Sequence, residues 1–405
     1  MPEKGFVEDK IRILFILPSP GAGGAELQLY YLLKDLDRTR FEAALTIFYS
    51  HGALRADFQA IPGLKIHDCQ KKSGLDFAYL FSLCKFMQKN HFDIIQAYNA
   101  SARLVGLVLA WWHRIPITIM TERNASPVYS SWASRFYHFC ERYAMRSATV
   151  VVANSQAGYR YCVQRGIAGQ RIRVINNGLD LQRLKSQRTR LDLQIRDQDF
   201  VIGMIARLFP QKDPITFLQA ARIVLSRRSD VLFLLIGDGP LRRRVQKLVQ
   251  ARQLGERVRL VGYTSAVADY LAAMDVLVLS SRQSEGCANA VLEGMAMAKP
   301  VIVTDVPGNR ELVAHEQTGL VVAPENASQL CQAIEDLLDH PDKRKQLATR
   351  AQQMVLHAFD MKVMVESYQR LYSECMNPIR SKQIALGQQK GRMETGRRRN
   401  EIDQG

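Results

Sequence analysis

The sequence predicts an α/β protein made of two doubly wound parallel sheets that face each other across a cleft. Three observations carry this reading. Short apolar runs alternate with amphipathic stretches almost throughout, the pattern of βα units in parallel sheets. The alternation comes in two series of similar size, separated by Asp180–Asp199, a weakly periodic stretch rich in Gln, Arg and Asp. The chain of 405 residues also exceeds what one hydrophobic core usually serves.

In the first series Ile11–Leu17 reads as a strand, ended by Pro18 and a Gly-rich loop, with Ala25–Leu36 as the helix after it. Phe41–Tyr49 is the next strand, and Leu64–Asp68 is a short edge strand. Phe77–Lys89 reads as a helix, followed by the strand Asp93–Ala97. Ala102–Arg114 is a nearly all-apolar helix, so it is buried on both sides or lies against a membrane; plain core packing is expected for Leu104–Trp112. Ile117–Thr121, Thr149–Ala153 and Ile172–Ile175 complete the first sheet, with the helix Ser131–Arg146 among them. In the second series the strands are Val201–Ala206, Leu232–Ile236, Val258–Val261, Val276–Leu279, Val301–Val303 and Leu320–Val322. Helices starting near Pro214, Leu241, Ala266, Asn289 and Ser328 separate them. The expected organisation is a domain over 1–180, a linker over 181–199, a second domain over 200–376 and a basic, disordered tail over 377–405. A helix near 360–375 is expected to pack back on the first domain.

Composition bounds the function. With 47% apolar and 23% charged residues the chain is globular, neither disordered nor collagen-like. Residues 1–10 are polar and charged, and no run of about 18 apolar residues spans a bilayer. The seven cysteines are scattered without a CxxC pair, which argues against a disulfide framework or a zinc knuckle. A cytoplasmic location follows, at most at the inner face of the cell membrane. The formal charge of +16 calls for anionic partners: nucleic acid, a membrane surface or phosphorylated substrates. Aromatic residues do not interleave with the basic clusters, which argues against single-stranded nucleic acid.

Three loops carry chemistry. Pro20-Gly21-Ala22-Gly23-Gly24-Ala25-Glu26 lies between a strand and a helix, where bare amides and the positive helix end can hold a phosphate. A dinucleotide fingerprint needs glycine where Glu26 stands, and Tyr49 and Ser50 take the place of an acidic ribose ligand, so a nicotinamide cofactor is disfavoured. Arg207 and Lys212 follow the first strand of the second series, where two cations suit a diphosphate. In Glu285-Gly286-Cys287-Ala288-Asn289-Ala290-Val291-Leu292-Glu293 two carboxylates flank a helix N-terminus. At 1.5 Å rise per residue they lie about two turns apart at most. Amides near Cys287–Asn289 can face phosphate while the carboxylates accept hydrogen bonds from sugar and ribose hydroxyls.

Gly23-Gly24-Ala25-Glu26, Asn154-Ser155, Asn177-Gly178-Leu179-Asp180, Arg207…Gln211-Lys212, Gly237-Asp238-Gly239-Pro240 and Glu285-x7-Glu293, followed by Lys299-Pro-Val-Ile-Val-Thr-Asp-Val-Pro-Gly308, occur in that order. Together they resemble the family 4 retaining glycosyltransferases, also called glycosyl transferases group 1. The resemblance runs from about Ile11 to Tyr372. It implies the GT-B fold, two Rossmann-like doubly wound domains facing a cleft, and transfer of a sugar from a nucleotide-diphosphate sugar, with UDP favoured. The acceptor implied is a glycan or lipid-linked glycan of polysaccharide or cell-envelope synthesis.

Carried over by position, the resemblance assigns Glu293 to the ribose, Arg207 and Lys212 to the diphosphate and Glu285 to the donor sugar. It puts the amides of Gly23 and Gly24 near the phosphate, and Gly286, Cys287, Ala288, Asn289 and Leu292 around the nucleotide. It implies no metal and no cofactor, the donor being a substrate, and Asp35-Leu36-Asp37 lies at a helix rather than a strand end. Many members carry a histidine after the strand equivalent to Ile117–Thr121; here Arg123 stands there, followed by Asn124, and both are site candidates. A non-catalytic binding subunit of the same fold and a sugar-nucleotide 2-epimerase are the alternatives. The net charge, Leu104–Trp112 and the aromatic helix Trp132–Phe139 are compatible with peripheral contact with an anionic membrane.

Overall fold

The computed structural model describes residues 10–72, 76–123, 132–283 and 285–379, and for 132–138 the backbone alone. The first sheet contains β1 (Ile11–Leu17), β2 (Phe41–Ile47), β3 (Lys65–Asp68), β4 (Ile94–Ala97), β5 (Ile117–Glu122), β6 (Val150–Ala153) and β7 (Ile172–Val174). The second contains β8 (Phe200–Ile205), β9 (Val231–Ile236), β10 (Val258–Gly262), β11 (Val276–Leu279), β12 (Val301–Thr304) and β13 (Leu320–Val322). Their orders are β3-β2-β1-β4-β5-β6-β7 and β10-β9-β8-β11-β12-β13, with parallel pairing in both. The two doubly wound sheets expected from the sequence are therefore present, with β3 at an edge.

The apolar runs become strands because both faces of each sheet are covered. In β1, Ile13, Phe15 and Leu17 enter one core while Leu14 and Ile16 enter the core on the opposite face. Strand order reverses between β1 and β4 in the first lobe and between β8 and β11 in the second. Ligands of such sheets bind outside the strand carboxyl ends at these switch points. The Gly-rich loop follows β1, the Arg207–Lys212 loop follows β8 and the Glu285 loop follows β11, so three candidate segments leave switch-point strands.

The segment between the sheets is packed, not free. Leu193 and Ile195 are buried in the second lobe's core, and Arg190 pairs with Asp275 at 2.7 Å. The chain then returns: a helix over 361–379 lays Met364, Val365, Tyr368, Leu371, Tyr372 and Met376 on the first sheet. The two crossings run side by side, the Leu179 N–H donating to the Phe359 carbonyl at 2.9 Å. Gly178 permits this approach, since a Cβ there would come to 2.7 Å from the Met361 Cα. The helix covers 377–379, so the expected tail begins later, and its remainder lies outside the described residues.

The apolar helix Asn99–Trp112 departs from the core packing expected for it. Ala102, Gly106, Leu109 and Ala110 are buried, whereas Val108, Trp111 and Trp112 are exposed. The helix belongs to the layer over one sheet face, and a stretch without polar residues gives no sequence mark of its outer side. Among the described residues no helix is long and apolar enough to cross a membrane.

Tyr372 is the buried centre of the returning helix. Its ring meets Phe15 and Phe41 edge-on, and its hydroxyl donates to Gln96 Oε1 at 2.6 Å. Tyr372→Ala is expected to cost about 3–5 kcal/mol of stability by denaturant titration. Tyr372→Phe, which leaves Gln96 Oε1 unpaired, is expected to cost about 1–3 kcal/mol.

Candidate active site

The second lobe supplies one wall. After β8 the chain passes Arg207 and makes a short turn, Pro210–Lys212, ending at Asp213 in the left-handed region (φ 46°). Asp213 caps the helix Pro214–Leu225, its carboxylate accepting the Thr216 N–H at 3.2 Å and hydroxyl at 2.6 Å. The turn is thereby fixed, and Lys212 points at the loop after β11. There Lys212 Nζ donates to Glu285 Oε1 at 2.5 Å, and Ser281 Oγ donates to the same oxygen at 2.5 Å. No described residue donates to Glu285 Oε2, so a buried carboxylate keeps one acceptor oxygen open. Arg207 is exposed, stacked 5.1 Å over the Phe209 ring, with no ion pair among the described residues.

The loop leads into the helix Asn289–Ala296. Gly286 sits against the first lobe: a Cβ on it would come to 2.5 Å from the Arg123 carbonyl oxygen and from Asn154 Oδ1. Cys287 is buried, and burial pushes its thiol up to about 12, so it stays protonated. Ala288 is buried beside it, and Leu292 is 1% exposed, turned into the second lobe's core and away from the cleft. Glu293, one turn past Asn289, receives no hydrogen bond from any described residue. Burial raises its carboxyl to about 7, opposed by the attraction of Arg183.

The first lobe meets this helix directly. Gly23 is the N-cap of the helix Gly24–Asp35, and a Cβ on Gly24 would lie 3.3 Å from Asn289 Nδ2. Asn289 Nδ2 is buried with no hydrogen-bond partner among the described residues. Asn177 Nδ2 donates to the Cys287 carbonyl at 3.0 Å and to Asn289 Oδ1 at 2.6 Å, and Arg123 donates to Asn177 Oδ1 at 2.6 Å. Arg123 also lies over the Tyr98 ring at 5.6 Å. Asn124 lies outside the described residues.

The structure thus brings Lys212 to Glu285, and Gly24, Arg123, Gly286, Cys287 and Asn289 to one interlobe seam. Arg207 and Glu293 stand apart from these contacts. Sequence reasoning missed Ser281, and it missed Gln28, which exchanges two hydrogen bonds with the Gly178 backbone at 2.8 and 2.7 Å. It also missed Arg183, whose guanidinium is 3.4 Å from the Tyr31 hydroxyl and faces Glu293. The one available signal was adjacency: Arg183 closely follows the Asn177–Asp180 motif. Among the described residues no three His, Cys, Asp or Glu side chains gather as a metal site.

Residues 22–183 match the family described as Glycosyltransferase Family 4, and residues 185–354 match Glycosyl transferases group 1. The chain is 26% identical over 383 residues to the UDP-Gal:alpha-D-GlcNAc-diphosphoundecaprenol alpha-1,3-galactosyltransferase of Escherichia coli, covering 90% of this chain and 97% of that protein. It is 26% identical over 349 residues to the N-acetylgalactosamine-N,N'-diacetylbacillosaminyl-diphospho-undecaprenol 4-alpha-N-acetylgalactosaminyltransferase of Campylobacter jejuni, covering 82% and 92%. Among solved structures, Anabaena HepE in complex with UDP and glucose superposes with a TM-score of 0.80 at 24% identity, over 90% of this chain and 99% of that one. That likeness establishes the fold.

The raised Glu293 carboxyl has a pH signature. The folded protein holds this proton up to about 7, the unfolded chain only to 4.5. The native state therefore binds more protons in this window, and this group's contribution to stability falls as pH rises from 4.5 through about 7. Glu293→Gln is expected to flatten that decline in a series of thermal midpoints measured against pH.

Proposed function

Because the chain belongs to the GT-B glycosyltransferases, with family 4 and group 1 halves, we propose that it transfers a sugar from a UDP-sugar, with retention of configuration, to a lipid-linked glycan at the membrane face. That it is a glycosyltransferase of polysaccharide or lipid-linked glycan synthesis is the coarser statement, and it stands on the family and its relatives. The UDP donor and the diphospholipid acceptor are taken from what those relatives and HepE are named for.

The observation that carries the reading is the half-satisfied carboxylate of Glu285. Oε1 is held by Lys212 and Ser281, and Oε2 is left for a donor-sugar hydroxyl. Lys212 thereby stands beside the sugar, where the diphosphate leaves, and exposed Arg207 adds a second cation on the same wall. Preorganised donors aimed at charge developing in the transition state lower the barrier without reorganisation. The bond from the anomeric carbon to the β-phosphate oxygen breaks, and its electron pair goes to the phosphate. The acceptor hydroxyl attacks on the same face and its proton passes to the departing phosphate. The new glycosidic bond keeps the anomeric configuration. In this front-face reading the departing phosphate takes the acceptor's proton, so Glu285 is assigned neither as nucleophile nor as base. Glu293 accepts from the ribose hydroxyls, with Arg183 opposite it.

The test is turnover with a panel of UDP- and GDP-sugars and a diphospholipid-linked acceptor, with the product anomer read by nuclear magnetic resonance. Lys212→Ala and Arg207→Ala are each expected to lower kcat about 10²–10³-fold with the fold intact. Product of inverted configuration would remove the mechanism. Full activity in both variants, or conversion of the donor without acceptor, would remove the site assignment.

A further inference from the structure

We propose that the outer face of the first lobe's helical layer, formed by the helices Asn99–Trp112 and Trp132–Ser147, docks on an anionic lipid bilayer. Val108, Trp111 and Trp112 recur at i, i+3 and i+4 on the first helix, so they share one side of it. Trp111 is 76% and Trp112 67% exposed. Phe139 and Tyr143, at i and i+4 on the second helix, are 71% and 68% exposed. The two helices pack against each other, so the two stripes are neighbours. Leaving such large aromatic side chains in water is unfavourable, and tryptophan and tyrosine favour the bilayer–water interface.

The charges around them select the partner. Arg142 and Arg146 share the outer side of the second helix with Phe139 and Tyr143, Arg114 follows the first helix, and all three are exposed. The helix Ala78–Lys89, in the same layer, adds exposed Lys85 and Lys89 and an exposed Phe81. In the sequence of the three helices Glu141 is the only carboxylate, and it is buried, paired with Arg103 and with Arg165. That ion cluster ties the two helices together from inside, since Arg103 belongs to one and Glu141 to the other. Among the described residues, the large exposed hydrophobic and charged side chains of these helices are aromatic, aliphatic or cationic. A second copy meeting this face would bring like charges together, whereas an anionic headgroup layer meets both its charge and its apolar side chains.

The surface deepens the proposed function, because a lipid-linked acceptor is presented at such an interface; it rests on that reading for its purpose, while vesicle binding is measured without turnover. The experiment is flotation of the full chain with vesicles of phosphatidylcholine alone or mixed with phosphatidylglycerol. Transfer to a water-soluble acceptor analogue is assayed in parallel. Wild type is expected to float with the anionic vesicles at low salt and to be released at high salt. Its tryptophan emission is expected to shift to the blue and to be quenched by lipids brominated on their acyl chains. Trp111→Gln with Trp112→Gln is expected to lower partitioning about tenfold, as buried apolar area sets interfacial affinity. Lys85→Gln and Arg114→Gln are each expected to lower it about fivefold, the factor for about 1 kcal/mol per cation. Among the described residues Lys85 and Arg114 make no side-chain hydrogen bond or ion pair, and thermal unfolding checks that the variants fold. Failure of wild type to float at low salt, or undiminished flotation of the tryptophan variant, would overturn the proposal. So would a concentration-dependent dimer that the tryptophan variant abolishes, since the face would then be a self-interface. Flotation with no transfer to any acceptor would leave the docking surface standing and remove the acceptor reading.

Discussion

The approach of the two lobes at Gly286 is the constraint on which the site depends. With no Cβ there, the Arg123 carbonyl and the Asn154 side chain of the first lobe press directly on the loop of the second. Behind it, Gly308 faces the carbonyls of Glu285 and Gly286, so the loop is confined from both sides. Asn177 then reads across the seam with one amide. It accepts from Arg123 and donates to the Cys287 carbonyl and to Asn289. These contacts fix the start of the helix Asn289–Ala296 against the first lobe. The segment that carries the two glutamates is therefore held in place by backbone proximity and one amide.

A second constraint reaches the seam from the opposite direction. Arg103, Glu122, Glu141 and Arg165 form a cluster of two cations and two carboxylates, buried beneath the helical layer. Burying charge is costly, and such a cluster is sustained by pairing each cation with both carboxylates, although among the described residues Arg103 Nε has no partner. Here it is drawn into the site: Glu122 Oε1 accepts the Arg123 N–H at 2.9 Å, and Arg103 donates to the Thr121 carbonyl. The end of β5 is thereby held just where Arg123 leaves it for Asn177. The residue that occupies the expected histidine position is thus anchored on one side by an ion cluster and engaged on the other by an interlobe amide.

The fold was legible because parallel strands buried on both faces leave continuous apolar runs, and β1, β8 and β11 show such runs with loops of chemical residues at their ends. Motif order assigned Lys212 to the diphosphate and Glu285 to the donor sugar, but their direct contact was not legible, since the two lie 73 residues apart. The motifs marked both Asn177 and Asn289, but their contact spans 112 residues and leaves no periodic trace, so the sequence did not show that they meet. Arg183 was hidden for a similar reason, lying in a segment whose weak periodicity reads as a connector. The outer side of Asn99–Trp112 was misjudged because hydrophobicity alone does not distinguish a side chain facing the core from one facing outward.

The two glutamates of the Glu285-x7-Glu293 motif end in opposite electrostatic settings, and the fold dictates which has which. Glu285 lies in the loop after β11 and meets a lysine placed by the capped turn after β8, so a cation stands beside it before any ligand arrives. Glu293 sits inside a helix that packs on the second lobe's core, with a guanidinium nearby and no hydrogen-bond donor among the described residues. On the proposed function, an acceptor oxygen next to a fixed cation receives a hydroxyl of the sugar that is losing its phosphate. A carboxyl that still holds its proton near neutrality gains most from a ligand that donates hydroxyl hydrogens to it, because those bonds favour its charged form. On the proposed function the first residue takes the reacting end of the nucleotide sugar and the second its pentose, and the difference in setting arises from what each segment packs against, not from the residue type, which is the same in both.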